Sequence, residues 1–174
     1  MEPVKWFDRK FNFDSAENIF PEILQRLKET PSRLTNTIKS IPDELLHVRP
    51  DGKWSIKENI GHLIDLEPLW QLRLHDILTG VAEMHPADLS NTKTHQADHN
   101  SRSAEELLYD FSAVRYQTIG MLENINSDVI FRSSLHPRLK TPMRTMDLFL
   151  FVAEHDDHHL ATISSIVNRF CKPV

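Results

Sequence analysis

The stretch "AEHDDHHLAT" places His155, Asp156, Asp157, His158 and His159 in consecutive positions, directly after the apolar run "LFLFV". Imidazole nitrogens are the commonest protein ligands for divalent transition metals. At about 100° per residue on a helix, His155 and His159 continue the ladder Leu148, Val152, His155, His159, Thr162 and Ile166, so both rings face the interior. His158 falls on one flank, and Asp157 lies towards solvent. Two inward imidazoles one turn apart bring their ring nitrogens to the same side, which is what a helix offers a metal. A third ligand must come from another helix. The HxxxH pattern lacks the intervening glutamate of a zinc-protease helix, and a buried histidine also serves as a hydrogen-bonded core residue. Spacing alone therefore leaves both readings open.

A competing pair, His95 and His99 in "THQADHN", has the same spacing. Asn91, Thr92, Thr94, Asn100 and Ser101 surround it with turn formers and no apolar ladder, so little in the pattern supports the helix that would align it. His47, His75, His85 and His136 are isolated and read as surface or packing residues. The single cysteine, Cys171, can form no disulfide within the chain and stands too near its carboxyl end to be a well-held nucleophile.

The elements that must position these residues are helical. Only 4 glycines occur in 174 residues, too few turns for a many-stranded fold, and no segment reads as a strand. Phe20, Leu24, Leu27, Leu34, Ile38 and Ile41 predict a first helix, either kinked at Pro31 or divided there. The turn "RPDGK" precedes a second helix, which opens with the capping box Ser55-Ile-Lys-Glu58 and stops at Gly80. Its ladder is Ile56, Ile60, Leu63, Trp70, Leu74 and Ile77, with Glu67 where an apolar residue is expected. A third helix follows the capping box Ser103-Ala-Glu-Glu106, and the last runs from about Thr145 to Arg169. These amphipathic segments predict an all-α, antiparallel four-helix bundle with long connections between helices two and three and between three and four. The reading is of one domain over residues 1–174, with 1–18 as an extended arm packed back on a bundle of 19–174.

Net charge is −5 with the 20 Lys and Arg scattered, which argues against nucleic acid as a partner. The amino terminus carries charges throughout, with neither a signal nor a membrane span, so a cytoplasmic protein is expected. A second apolar face on helix two, with Leu66 and Leu69, needs cover from a second copy or from the chain itself, which makes a homodimer plausible.

Trp54-Ser55, Glu58, "GHLIDLE" and "HPRLKTPMRTMDLFLFVAEHDDHHLATI" together resemble the DinB/YfiT-like superfamily of metalloenzymes, from Phe20 onward. The resemblance implies a four-helix bundle holding one divalent transition metal, zinc or nickel in the first place, through His62, His155 and His159. Family relatives include mycothiol-dependent maleylpyruvate isomerases and bacillithiol transferases. The resemblance thus implies a small-molecule substrate and, for the reaction, thiol-dependent transfer with a low-molecular-weight thiol. Metal-dependent hydrolysis is the alternative, and a non-catalytic metal- or ligand-binding bundle a third reading. Periodicity, by contrast, places His62 opposite the main ladder and selects Glu67 as the ligand from helix two. Glu67 thus stands as a substitute or supporting ligand. Asp65 and Arg73 are candidates for orienting ligands or binding an acidic substrate, with surface ion pairing the plain alternative. Asp156 and His158 are candidates for supporting the ligands on the last helix. Gly61 could admit close approach by a neighbour.

Overall fold

The computed structural model describes residues 5–170; Cys171 lies outside them. Helix α1, Phe20–Ile38, includes Pro31 and is one element. Burial of Leu27, Leu34 and Ile38 on both sides of the proline outweighs the single backbone bond it removes. A short helix α2, Asp43–Leu46, leads to α3, Ile56–Thr79. Both halves of the α3 capping box form: Ser55 Oγ accepts from the Glu58 amide at 3.1 Å, and Glu58 Oε2 accepts from the Ser55 amide at 2.9 Å. Gly80 ends the helix at φ 75°, a left-handed conformation that costs glycine nothing. After α4, Thr92–Gln96, the Ser103–Glu106 box opens α5, Ala104–Glu123, and the last helix is α6, Thr145–Phe170.

Between α5 and α6 lies a small sheet that no sequence pattern signals. Strands β1, Ser133–Leu135, and β2, Pro142–Arg144, pair antiparallel, with Ser134 opposite Met143. Three-residue strands are too short to show a period of two, so no pattern announced them.

Helix α1 packs on α5 and α6, and α3 packs on the same two helices. The pairs α1/α3 and α5/α6, consecutive among the long helices, therefore stand on diagonals and their connections cross the bundle, whereas the long connection from α3 to α5 joins neighbouring helices. Helix α3 runs antiparallel to α6: Asn59 meets His159, His62 meets His155, and Trp70 meets Phe151.

The apolar core has two parts. One gathers Leu27, Trp70, Leu74, Leu122, Phe149 and Val152 among others; the other gathers Leu34, Ile60, Leu63, Phe111, Leu160 and Ile163. On each long helix a buried polar residue falls between them: Thr30 on α1, Glu67 on α3, Arg115 and Thr118 on α5, Asp156 on α6. Arg115 Nε donates to Glu67 at 2.8 Å and its Nη2 to Asp156 at 3.0 Å, while Thr30 donates to Asp156 at 2.9 Å and Thr118 donates to Glu67. A polar layer thus ties all four long helices together at mid-bundle.

Ahead of α1, Trp6, Phe11 and Phe13 pack on the first core cluster. Leu66 and Leu69 pack on the same cluster and are partly buried, so the second face of α3 is covered in part by its own chain. Among the described residues no helix is long and apolar enough to cross a membrane.

Candidate metal centre

Helix α6 carries His155 and His159 with their Nε2 atoms 3.2 Å apart. From α3, the His62 ring stands 5.4 Å from that of His155 and 5.0 Å from that of His159, centroid to centroid. One nitrogen of each histidine lies within 4.8 Å of the others, and all three residues are buried. Residues 56–63 are buried all round the helix, so the ladder Ile56, Ile60, Leu63 marked only one of two buried faces, and His62 occupies the other.

Neighbouring groups set the tautomers. Thr94 Oγ1 donates to the Asp65 carboxylate at 2.9 Å, since a carboxylate only accepts. The same hydroxyl, 3.1 Å from His62 Nδ1, must then accept from it, which leaves the lone pair of His62 on Nε2. Asn59 Nδ2 donates to the Ser55 carbonyl at 2.8 Å, turning Oδ1 to His159 Nδ1 at 2.8 Å. Nδ1 donates, and the His159 lone pair is also on Nε2. His155 Nδ1 is buried without a hydrogen-bond partner among the described residues, so no polar contact on that side accounts for the ring's position. A tetrahedral cation with bonds of about 2.0–2.1 Å spaces its nitrogen ligands about 3.3 Å apart, close to the His155–His159 separation. The residues fit a divalent metal.

Burial lowers the His62 pKa to about 4 and those of His155 and His159 well below the usual imidazole value. All three rings are therefore neutral, as ligation requires. Burial opposes the Asp65 charge, yet hydrogen bonds from His99 and Thr94 prevail and hold its carboxyl below the ordinary value.

The three rings open on a cavity of about 990 Å³ whose walls include Trp6, Trp54, Trp70, Phe151 and Arg73. Trp54 lies 4.7 Å from the His62 ring and Trp6 4.9 Å from that of His155, so the arm forms part of the wall. The adjacent Ser55 caps α3, which explains the value of the tryptophan-serine pair: one residue walls the site while the next starts the helix that supplies His62.

The DinB superfamily sequence model matches residues 26–163. The chain belongs to the DinB superfamily. The bundle is similar to three solved structures. The first is YfiT from Bacillus subtilis, described as a probable metal-dependent hydrolase with an unusual four-helix bundle topology. It has TM-score 0.79 and 21% identity over 93% of each chain. The second is a Streptococcus pneumoniae protein with TM-score 0.62 and 16% identity, over 91% of this chain and 92% of that one. The third is an uncharacterised Clostridium difficile 630 protein with TM-score 0.64 and 13% identity, over 92% of this chain and 99% of that one. No curated protein matches the chain.

Within this DinB bundle the other candidates fall into place. Glu67 does not join the histidines; it is committed to Arg115 and Thr118 in the polar layer, and burial pushes its carboxyl up against the pull of Arg115. Its place on the ladder marked burial rather than ligation. Asp156 likewise serves Arg115 and Thr30, and Asp157 is paired with Arg26 and Arg33. His158 stands against Trp6, ring centroids 5.6 Å apart, at the cavity wall.

His95 and His99 do not act as a pair. Helix α4 ends before His99, whose Nε2 meets Asp65 at 2.8 Å, while His95 lies by Trp54. A Cβ on Gly61 would stand 2.2 Å from the His99 ring, so His99 is the neighbour that this glycine admits. Of the isolated histidines, His85 is exposed with its Nδ1 2.9 Å from Asp76, and His136 is buried against Arg73. Asn59 and Thr94 escaped the sequence reading because an amide and a hydroxyl carry no spacing signature of their own.

Proposed function

We propose that His62, His155 and His159 hold one divalent transition metal, zinc or nickel, and that the protein is a metal-dependent enzyme hydrolysing a small molecule in the adjoining cavity. The observation that carries this reading is the convergence of three neutral imidazoles, two with their lone pairs set by Thr94 and Asn59. A cation there supplies Lewis acidity and lowers the pKa of a bound water or thiol. Three protein ligands leave a position for substrate or nucleophile, the arrangement of a catalytic rather than a structural site. The description of YfiT as a probable metal-dependent hydrolase supports hydrolysis. Trp6, Trp54 and Trp70 hold the apolar body of a substrate and exclude water from the rings.

Thiol-dependent transfer is the second reading. A cavity of about 990 Å³ stands at the upper end of small-molecule sites and has room for a substrate beside a low-molecular-weight thiol. Elemental analysis of purified protein beside a His155→Ala variant tests the metal, with one transition metal per chain expected in the parent and marked loss in the variant. Ester and amide substrates assayed with and without added thiol then separate the reactions. Turnover without thiol supports hydrolysis, turnover only with thiol supports transfer, and binding without turnover in either assay defeats both.

A further inference from the structure

Where the cavity meets the β1–β2 turn, hydrogen-bond donors converge without acceptors. His136 Nδ1 accepts from the backbone amides of Arg138 at 3.2 Å and Leu139 at 3.1 Å, so the single proton of its neutral ring sits on Nε2. That Nε2 faces Arg73 Nη1 at 3.2 Å, and a guanidinium can only donate. Two N–H groups therefore meet with no lone pair between them. Arg73 is 2% exposed, and its Nε is taken by the His85 carbonyl at 2.9 Å. Asp76, the acidic group that acts on Arg73, is itself committed to His85, accepting from its amide at 2.8 Å. The Arg138 guanidinium stands 5.2 Å from the Phe7 ring, and its Nη2 is buried with no partner among the described residues. All three side chains line the cavity.

Burial and mutual repulsion act on the whole group. Burial, then Arg73 and Arg138, lowers the His136 pKa to about 4, and burial lowers that of Arg73 to about 10. Buried cations and donors without acceptors are costly, and guanidinium forks match the oxygens of carboxylate and phosphate.

We infer that Arg73, Arg138 and His136 form a subsite for an oxyanion, carboxylate or phosphate, carried by the substrate. Trp70 touches both the subsite and the proposed metal-binding rings: its ring stands 6.0 Å from that of His155 and 5.5 Å from Arg73 Cζ. The substrate class is thus an anionic small molecule whose apolar middle spans Trp70 and whose reacting bond reaches His62, His155 and His159. The reaction assigned to this molecule rests on the proposed function; the binding of the anion does not.

The test is calorimetric titration of the full-length protein, as purified and after dialysis against EDTA, with sodium benzoate and separately with inorganic phosphate, so that the two arms distinguish the oxyanions. At least one probe should bind saturably, with affinity reduced about tenfold or more in Arg138→Gln and unchanged in Lys140→Gln, whose ammonium is exposed and paired with Glu83. The half-buried position of Arg138 makes its substitution compatible with folding. His155→Ala should keep the anion while losing metal, so failure of the metal reading and failure of the subsite are separately visible. Binding of neither probe by the parent, equal affinity in Arg138→Gln, or equal weakening in Lys140→Gln overturns the subsite.

Discussion

Asn59 and Thr94 decide which nitrogen of His159 and of His62 is free to ligate, because each holds the opposite ring nitrogen as a donor. Replacing Asn59 with Ala or Thr94 with Val frees the tautomer and the ring, and metal affinity should fall about 10–100-fold. Competition with a chromophoric chelator measures this directly, and equal affinities in parent and variants would show that the two residues only pack. The same scale governs pH. His62 and His136 have pKa values lowered from 6.5 to about 4, so between those limits the unfolded chain takes up protons that the folded chain refuses. Stability of the metal-free protein is therefore full above pH 6.5 and is lost progressively down to about pH 4. The urea midpoint should fall across that window, with a shallower slope in His136→Gln; a midpoint flat from pH 7 to 4 contradicts the burial argument.

At the scale of elements, the polar layer fixes how α6 faces the rest of the bundle. Asp156 turns inward to Arg115, and its neighbour His155 is thereby turned to the cavity. Burial opposes the Arg115 charge, but Asp156 and Glu67 more than offset it and raise its pKa. Removing the cation alone strands two carboxylates in the core: Arg115→Met should cost about 3–5 kcal/mol in urea unfolding, whereas Arg115→Met combined with Glu67→Leu and Asp156→Leu should be much closer to neutral. Equal losses in the single and triple variants would mean that shape rather than charge decides the layer. Glu67 shows how far pattern reading reaches. A carboxylate interrupting an apolar ladder is visible in the sequence, but its partner, Arg115, lies 48 residues away and no periodicity links the two. Both capping boxes and the Gly80 stop were legible because each is a local hydrogen-bond rule. The strands β1 and β2 were not, because their pairing depends on a turn rather than on a run of alternating residues.

Across the whole molecule, the diagonal arrangement brings α3 and α6 together along their length, and this unites His62 with His155 and His159 across 93 residues of chain. The helical content and the inward turn of His155 and His159 followed from spacing. The contribution of His62 did not, because the opening turns of α3 are apolar-packed on one side and polar-packed on the other, and a helical period detects only the first. Resemblance to the DinB superfamily pointed to His62, and the fold brings its ring beside those of His155 and His159. Segments outside the long helices also reach the three rings: the one after α3 brings Thr94 to His62 and His99 to Asp65, and the arm brings Trp6 to His155. The proposed chemistry requires a cation at the point where the three imidazoles meet. A crystal of the protein grown without chelator, with anomalous data collected on both sides of the zinc and nickel edges, locates any such metal. One peak within about 2.0–2.2 Å of a nitrogen of each of His62, His155 and His159 is the predicted result. A metal-loaded crystal whose peak lies elsewhere, or is bound without His62, contradicts it.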